Sequence, residues 1–265
     1  MFLCGSGPPL VLIPGIQGRW EWMRPAVHAL AASFTVATYS LVGEPDSNAP
    51  LRPDTPFDRH LEQVDDVLRQ NGWSQAVVCG VSYGGLVAVR YAAVRPERTR
   101  ALVLVSAPGP RWRPAARVRR YVSSPWLSAP AFVAGAPLRL WPEIRAAAPS
   151  RLQACTCGAR HLVNVALAPA WPSRMANRVR CLEGLDFRVD AGRVRSPTLV
   201  ITGQPHLDRV VPVDETLEYV STIPGASART LAGTGHLGLV TRPREFAGLI
   251  ADFAGAGALV AQTHS

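Results

Sequence analysis

Short apolar runs alternate with helix-like segments along much of this chain, and this alternation restricts the folds that it can adopt. The strand-like runs are 10–13, 35–39, 76–79, 101–105, 197–202 and 229–231. Patterns typical of helices lie between and after them, at 23–32, 57–70, 86–94, 214–221 and 243–253. Buried strands that alternate with helices indicate an α/β protein with a mostly parallel sheet flanked by helices on both faces.

Residues 110–195 interrupt this alternation. The segment is rich in Arg, Ala, Pro and Trp, has no strong strand signal, and is too long for a simple connection. We therefore expect a core formed by 1–109 and 196–265, with 110–195 as a mostly helical cap inserted between two strands.

The charge of the chain is concentrated in that cap. All 28 basic residues are arginine, and the formal net charge is +9. Residues 110–195 hold 15 arginines against four acidic residues, a net of +11, whereas the remainder is slightly acidic. The excess could steer anionic ligands or contact an acidic surface, but a solvated arginine-rich face is favoured. No nucleic-acid-binding module accompanies the arginines, so we expect no nucleic-acid partner.

The segment Gly80-Val81-Ser82-Tyr83-Gly84 lies between a predicted buried strand and a predicted helix. In that setting G-x-S-x-G indicates a sharp turn that exposes a serine hydroxyl above the sheet, with small residues required two positions to either side. Ser82 is therefore the candidate nucleophile, and Gly80 and Gly84 are the residues that permit the turn.

A serine nucleophile needs a general base and an acid that orients the base. His236 follows a short predicted strand and is the favoured base, with His206 as its rival; the other histidines (His28, His60, His161 and His264) have no comparable context. Asp208, just beyond the strand at 197–202, is the favoured acid, with Asp190 and Asp214 as competitors.

Acyl transfer also requires N–H donors for the developing oxyanion. The backbone of Tyr83, directly after the nucleophile, is one candidate. The turn Pro14-Gly15-Ile16-Gln17-Gly18 follows the first predicted strand, and the backbone of Ile16 is the favoured second donor.

These motifs resemble those of capped α/β-hydrolase-fold proteins related to esterases, C–C hydrolases and haloperoxidases. The resemblance covers 7–109 and 196–254 and implies the α/β-hydrolase fold, with the cap after the sixth strand of the family's sheet. The chain departs from the family pattern at Pro14-Gly15, where many members have His-Gly, and at 40–43, where Asp-x-x-Gly is frequent. It also begins almost at the run 10–13, so the family's preceding hairpin is largely missing, which suggests either an exposed sheet edge or a misjudged start codon.

The resulting functional prediction is a serine hydrolase that cleaves a small carboxylic ester through an acyl-enzyme and needs no cofactor or metal. C–C hydrolysis, lactone opening and acyl transfer by the same triad remain open, as does a non-catalytic ligand-binding protein. Four tryptophans are candidates for the pocket mouth: Trp20, Trp22, Trp126 and Trp141. A zinc site formed by Cys155, Cys157, His161 and Cys181 is disfavoured, because the spacing matches none of the usual structural-zinc patterns.

The expected surroundings of the protein follow from two further features. No apolar run approaches the length of a membrane span, and the first residues lack the pattern of a signal peptide. We therefore expect a cytoplasmic protein with reduced cysteines and a small-molecule substrate. The sequence does not determine an oligomeric state.

Overall fold

A computed structural model describes residues 1–47 and 50–262, with only the backbone described for 256–262. The strands are β1 Phe2–Cys4, β2 Pro9–Ile13, β3 Thr35–Thr38, β4 Ala76–Val81, β5 Thr99–Val105, β6 Thr198–Thr202 and β7 Ser227–Thr230. They form one sheet in the order β1-β3-β2-β4-β5-β6-β7. All neighbouring strands are parallel except β1, so the prediction of a mostly parallel sheet is confirmed.

The helices of the sheet-forming part flank both faces. They are α1 Arg24–Leu30, α2 Arg59–Gln70 and α3 Tyr83–Val94 before the 110–195 segment. Short 3₁₀ turns occupy Trp20–Met23 and Pro96–Arg98. Within the segment and beyond it come α4 Ala116–Ser123, α5 Pro125–Ala134, α6 Ala136–Ala147, α7 Arg151–Leu167, α8 Pro172–Arg180, α9 Phe187–Arg193, α10 Val213–Thr222, α11 Gly238–Thr241 and α12 Pro243–Gln262.

Two apolar layers hold these helices to the sheet. On one face, Leu10 and Val103 of the strands pack with Val27 of α1 and Phe246 of α12. On the other, strand residues such as Val78 pack with side chains of α2, α3 and α9. Because alternate residues of a strand point to opposite faces, each central strand contributes to both layers.

Only one short strand, Phe2–Cys4, stands ahead of the run 10–13, where the family has a hairpin. Phe2–Cys4 pairs antiparallel with β3, with Phe2 opposite Thr38, and therefore covers that edge of the sheet. Three residues are too few for a clear alternation signal, and Phe2 is fixed by stacking on Trp20 with ring centroids 4.5 Å apart. The strand at this edge of the sheet is therefore β1, and short edge strands are common in proteins.

The segment between β5 and β6 contains six consecutive helices, α4 to α9, and no described strand. Its last helix packs into the core, because Phe187 and Ala191 of α9 are buried in the layer that contains α3. The division of the chain into a core and a 110–195 cap remains a prediction. No helix in the described part of the chain combines the length and the apolarity that a bilayer span requires.

Candidate active site

Ser82 occupies a strained turn between β4 and α3. Its φ of 52° and ψ of −121° lie in a region that non-glycine residues rarely adopt. The amide N–H of Ser82 donates to the carbonyl of Val105 in the neighbouring strand, and its own carbonyl accepts from Gly85 N–H. The turn therefore holds the side chain of Ser82 at the carboxyl edge of the sheet, where open α/β sheets bind their ligands.

The glycines on either side of Ser82 are required by close backbone approaches. A Cβ at Gly80 would lie 2.2 Å from the carbonyl oxygen of Gly84, and a Cβ at Gly84 would lie 2.5 Å from that of Ile13. Both distances are far below a normal contact. The tight packing of this turn explains why Gly80 and Gly84 flank Ser82.

His236 and Asp208 lie next to each other on the loops that follow β7 and β6. His236 Nδ1 is 3.4 Å from Asp208 Oδ2, and both residues are buried. Their loops make direct backbone contact, since Gln204 N–H donates to the carbonyl of Thr234. A Cβ at Gly203 would lie 2.6 Å from the Cα of Gly235, so the approach of the two loops depends on glycine.

The carboxylate of Asp208 is stabilised in its ionised form. Burial raises its pKa, but this effect is outweighed by the hydrogen bond and charge of His236 and by the N–H groups of Val211 and Val210. Both amides donate to Oδ1, each with an N···O distance of 3.0 Å, and Oδ2 is left to contact the imidazole. The net result is a lowered pKa, as expected of a carboxylate that orients a histidine base.

Among the described contacts, the Ser82 hydroxyl is not hydrogen-bonded to His236. Catalytic hydrogen bonds are often long in ligand-free enzymes and shorten when substrate binds. Proton transfer between Ser82 and His236 requires the two side chains to come within hydrogen-bond distance.

The turn 14–18 lies beside Ser82, because a Cβ at Gly15 would be 3.5 Å from the Cβ of Ser82. Gly18, with a φ of 75°, closes this turn through a hydrogen bond from its N–H to the carbonyl of Gly15. Ile16, the favoured oxyanion donor, is thus held close to the proposed nucleophile.

Arg178 of α8 stabilises this turn through hydrogen bonds. Its guanidinium donates to the carbonyl of Ile16 (2.9 Å) and to that of Val42 (3.0 Å), and the residue is completely buried. Gly18 makes room for it, since a Cβ there would lie 2.4 Å from a guanidinium nitrogen. The carbonyl of Arg178 in turn accepts a 3.3 Å hydrogen bond from the Tyr83 hydroxyl. One residue of the predicted cap therefore contacts both residues proposed to form the oxyanion hole.

A buried carboxylate balances the charge of Arg178. Glu44 Oε1 is 2.7 Å from Arg178, and Oε2 is 3.1 Å from Arg174. Burial lowers the pKa of Arg178, and the attraction of Glu44 opposes that shift. Glu44 follows the 40–43 segment in which the chain departs from the family pattern, so this segment forms part of the support of the turn 14–18.

Glu143 of α6 forms a second contact between the predicted cap and the site. Both of its carboxylate oxygens lie 3.0 Å from the amide nitrogen of Leu237, which donates to them. A Cβ at Gly235 would lie 2.3 Å from one of these oxygens, so glycine leaves the space that Glu143 fills. Burial raises the pKa of Glu143 to about 7, against the opposing effects of the Leu237 amide and of His236.

This raised pKa predicts a pH-dependent stability. Because the pKa is higher in the folded state than the value of about 4.3 in an unfolded chain, protonated Glu143 favours folding. That contribution is complete below the unfolded-state pKa and is lost as the pH rises through about 7. Glu143→Gln retains an acceptor for Leu237 but cannot titrate. Its melting temperature should therefore rise relative to wild type as the pH increases from about 4.5 to 8; parallel curves would contradict the assignment.

The rival residues occupy other environments. His206 is exposed, and Asp214 is exposed in the first turn of α10. Asp190 is buried in an ion pair with Arg90, 3.2 Å away, and its place on α9 is structural. His264 lies outside the described residues.

The four tryptophans proposed for the pocket mouth differ in their surroundings. Trp20 stacks on Phe2, and Trp22 donates its indole N–H to the carbonyl of Ala168, which joins the core to the segment between α7 and α8. Trp126 and Trp141 are largely exposed. That these four line a substrate pocket remains a prediction.

The candidate zinc ligands are not brought together. Cys155, Cys157 and His161 lie on α7, while Cys181 directs its thiol to the carbonyl of Thr55. No group of three or more His, Cys, Asp or Glu side chains within the described residues is arranged to hold a metal ion.

Comparisons with known proteins identify the class to which this fold belongs. A family model described as the alpha/beta hydrolase fold matches residues 8–139. Over 257 residues the chain is 28% identical to the putative carbamate hydrolase RutD of Pseudomonas savastanoi pv. phaseolicola, with 94% of each sequence covered. It is also 28% identical over 263 residues to 2-hydroxymuconate semialdehyde hydrolase of Pseudomonas sp. (strain CF600), covering 94% of this chain and 87% of that protein.

The solved structures agree on the fold. The enol-lactonase from Burkholderia xenovorans LB400 superposes with a TM-score of 0.78 at 23% identity, covering 95% of this chain and 94% of that one. The chain belongs to the α/β-hydrolase fold family. It is a hydrolase of that family, and the chemistry of its substrate is a separate question.

Proposed function

We propose that this hydrolase cleaves small carboxylic esters with Ser82 as nucleophile, His236 as general base and Asp208 as the acid that orients the base. The single observation that carries the proposal is the buried 3.4 Å contact between His236 Nδ1 and Asp208 Oδ2 at the sheet edge that also holds Ser82 in its strained turn. Asp208 fixes the imidazole so that Nε2 is free to accept a proton.

The reaction proceeds in two halves. Ser82 Oγ bonds to the acyl carbon as His236 Nε2 takes its proton, and the oxyanion receives hydrogen bonds from the amides of Ile16 and Tyr83. Collapse of this tetrahedral species expels the alcohol, which takes the proton from His236. A water molecule then attacks the acyl-enzyme by the same route, which releases the acid and restores Ser82.

The relatives support acyl chemistry and extend its range. One similar protein is named a carbamate hydrolase and one similar fold a lactonase; both bonds, like an ester, break at an acyl carbon. C–C hydrolysis is the second candidate, because the Pseudomonas sp. relative is named a 2-hydroxymuconate semialdehyde hydrolase.

A substrate panel tests the proposal. The purified protein should hydrolyse p-nitrophenyl esters, with kcat/KM highest for short acyl chains, and dialysis against EDTA should leave the rates unchanged because no step uses a metal. A lactone, a carbamate and a vinylogous diketone assayed in parallel separate the alternatives. Turnover of the diketone alone would assign C–C hydrolysis instead.

A further inference from the structure

The helix α5 of the 110–195 segment exposes an unusual amount of apolar surface. It contains no charged residue and no buried residue over its ten positions. Leu127 is 84% exposed and Val133 is 67% exposed, and Leu138 at the start of α6 is 75% exposed. We call Trp126, Leu127, Val133 and Leu138 the α5 patch. Several highly exposed apolar side chains close together in the chain point to an interaction site.

Two arginines lie beside the α5 patch on a shared pair of aromatic rings. The guanidinium of Arg117 lies 5.6 Å from the ring of Tyr121, and that of Arg139 lies 4.8 Å from the ring of Phe132. The two rings meet edge to face with centroids 5.7 Å apart. The two cations are therefore held near each other, and each lies against an aromatic ring.

Neither arginine is neutralised by the protein. Arg117 donates to the Tyr121 hydroxyl and Arg139 to the carbonyl of Phe132, and neither forms an ion pair within the described residues. Burial lowers the pKa of Arg139, and the neighbouring charge of Arg117 lowers it further. An anion bound between the two guanidinium groups would relieve this repulsion, and phosphate is the anion that the planar guanidinium binds best.

We propose that the α5 patch and the pair Arg117 and Arg139 dock the enzyme onto an anionic phospholipid surface. Apolar side chains flanked by arginines are the combination by which helices lie in the membrane interface. In this position α5 inserts its side chains among the acyl chains, while Arg117 and Arg139 bind lipid phosphates. The proposal does not depend on the identity of the catalytic residues.

Charge and shape favour a lipid surface over two other occupants. A second copy of the chain would bring a segment with a net charge of +11 against itself, which is repulsive. A protein partner must match the fixed shape of the surface that α5 presents. A fluid bilayer accommodates such a helix without shape complementarity.

Vesicle flotation tests the proposal with the full-length protein. The protein should float with vesicles of phosphatidylcholine that contain phosphatidylglycerol and should remain behind with phosphatidylcholine alone. Leu127→Ser with Val133→Ser should weaken binding about tenfold through lost apolar burial. Arg117→Gln with Arg139→Gln should weaken binding to the anionic vesicles about 30-fold, since each arginine near such a surface contributes about 1 kcal/mol.

Two measurements keep the result decisive. The control variant Leu217→Ser with Arg244→Gln carries the same kinds of substitution away from the α5 patch. It replaces one partly exposed apolar side chain and one exposed arginine, and it should float like wild type. Analytical ultracentrifugation of the same variants reports self-association. Absence of flotation with anionic vesicles, equal flotation of the patch variants, or a dimer that Leu127→Ser with Val133→Ser dissociates would each overturn the proposal, the last in favour of a second copy.

Discussion

Ser82→Ala is expected to lower kcat for ester hydrolysis by about four to six orders of magnitude, because it removes the atom that forms the acyl-enzyme. His236→Ala should cost about as much, since serine and histidine act as one unit. Both effects are measured as initial rates with the best ester of the panel, after removal of any trace of wild-type enzyme. Circular dichroism and melting temperature should show that both variants are folded.

The acid assignment is tested by comparing three carboxylates. Asp208→Asn should lose somewhat less activity than Ser82→Ala, because the Ser82–His236 pair survives with a poorly held tautomer. Asp214→Asn is the matched control, since Asp214 is exposed on α10 and should be replaceable without effect. Near wild-type activity of Asp208→Asn together with an inactive Asp214→Asn or Asp190→Asn would overturn the assignment.

Arg178→Met is expected to reduce both stability and turnover. Removing one partner of a buried ion pair costs about 3 to 5 kcal/mol of unfolding free energy, because the other charge is left without full compensation. Among the described residues, Glu44 would keep Arg174 at 3.1 Å and Arg19 at 4.0 Å as its ionic partners. The carbonyl of Ile16 would also lose its partner, so kcat should fall more than KM changes. Urea denaturation and steady-state kinetics measure the two effects.

Two further variants separate the causes. Adding Glu44→Gln to Arg178→Met should recover part of the lost stability, since it removes the uncompensated carboxylate, but it should not restore kcat. Arg151→Met, at an exposed position at the start of α7, should change neither quantity. A stable Arg178→Met variant with unchanged kcat would show that the turn 14–18 does not depend on this side chain.

The sheet and the candidate triad were accessible from the sequence because their signals are local. Ser82, Asp208 and His236 each follow a strand-like run, and the carboxyl ends of parallel strands meet at one edge of a sheet. The contact between Asp208 and His236 then follows from the neighbouring positions of β6 and β7. Gly80 and Gly84 were recognisable because only small residues fit the turn around Ser82.

The residues that stabilise the site from the 110–195 segment could not be predicted from local sequence patterns. Nothing in the sequence distinguishes the buried Arg178 from the other 27 arginines, and its partner Glu44 lies 134 residues earlier. Glu143 is likewise one of four acidic residues in a basic segment, and its contact with Leu237 spans 94 residues. Such contacts depend on how the helices α6 and α8 pack onto the sheet, which no local pattern determines.

The most direct measurement of the proposed chemistry is covalent labelling with a fluorophosphonate, which reacts with a serine only where a base and an oxyanion hole activate it. Mass spectrometry of the labelled protein should show one adduct per chain, located on Ser82. Labelling should be absent in Ser82→Ala and much slower in His236→Ala, and its rate should track ester turnover. An unlabelled Ser82 in a preparation that still hydrolyses esters would contradict the account, and so would an adduct on another residue that accounts for the activity.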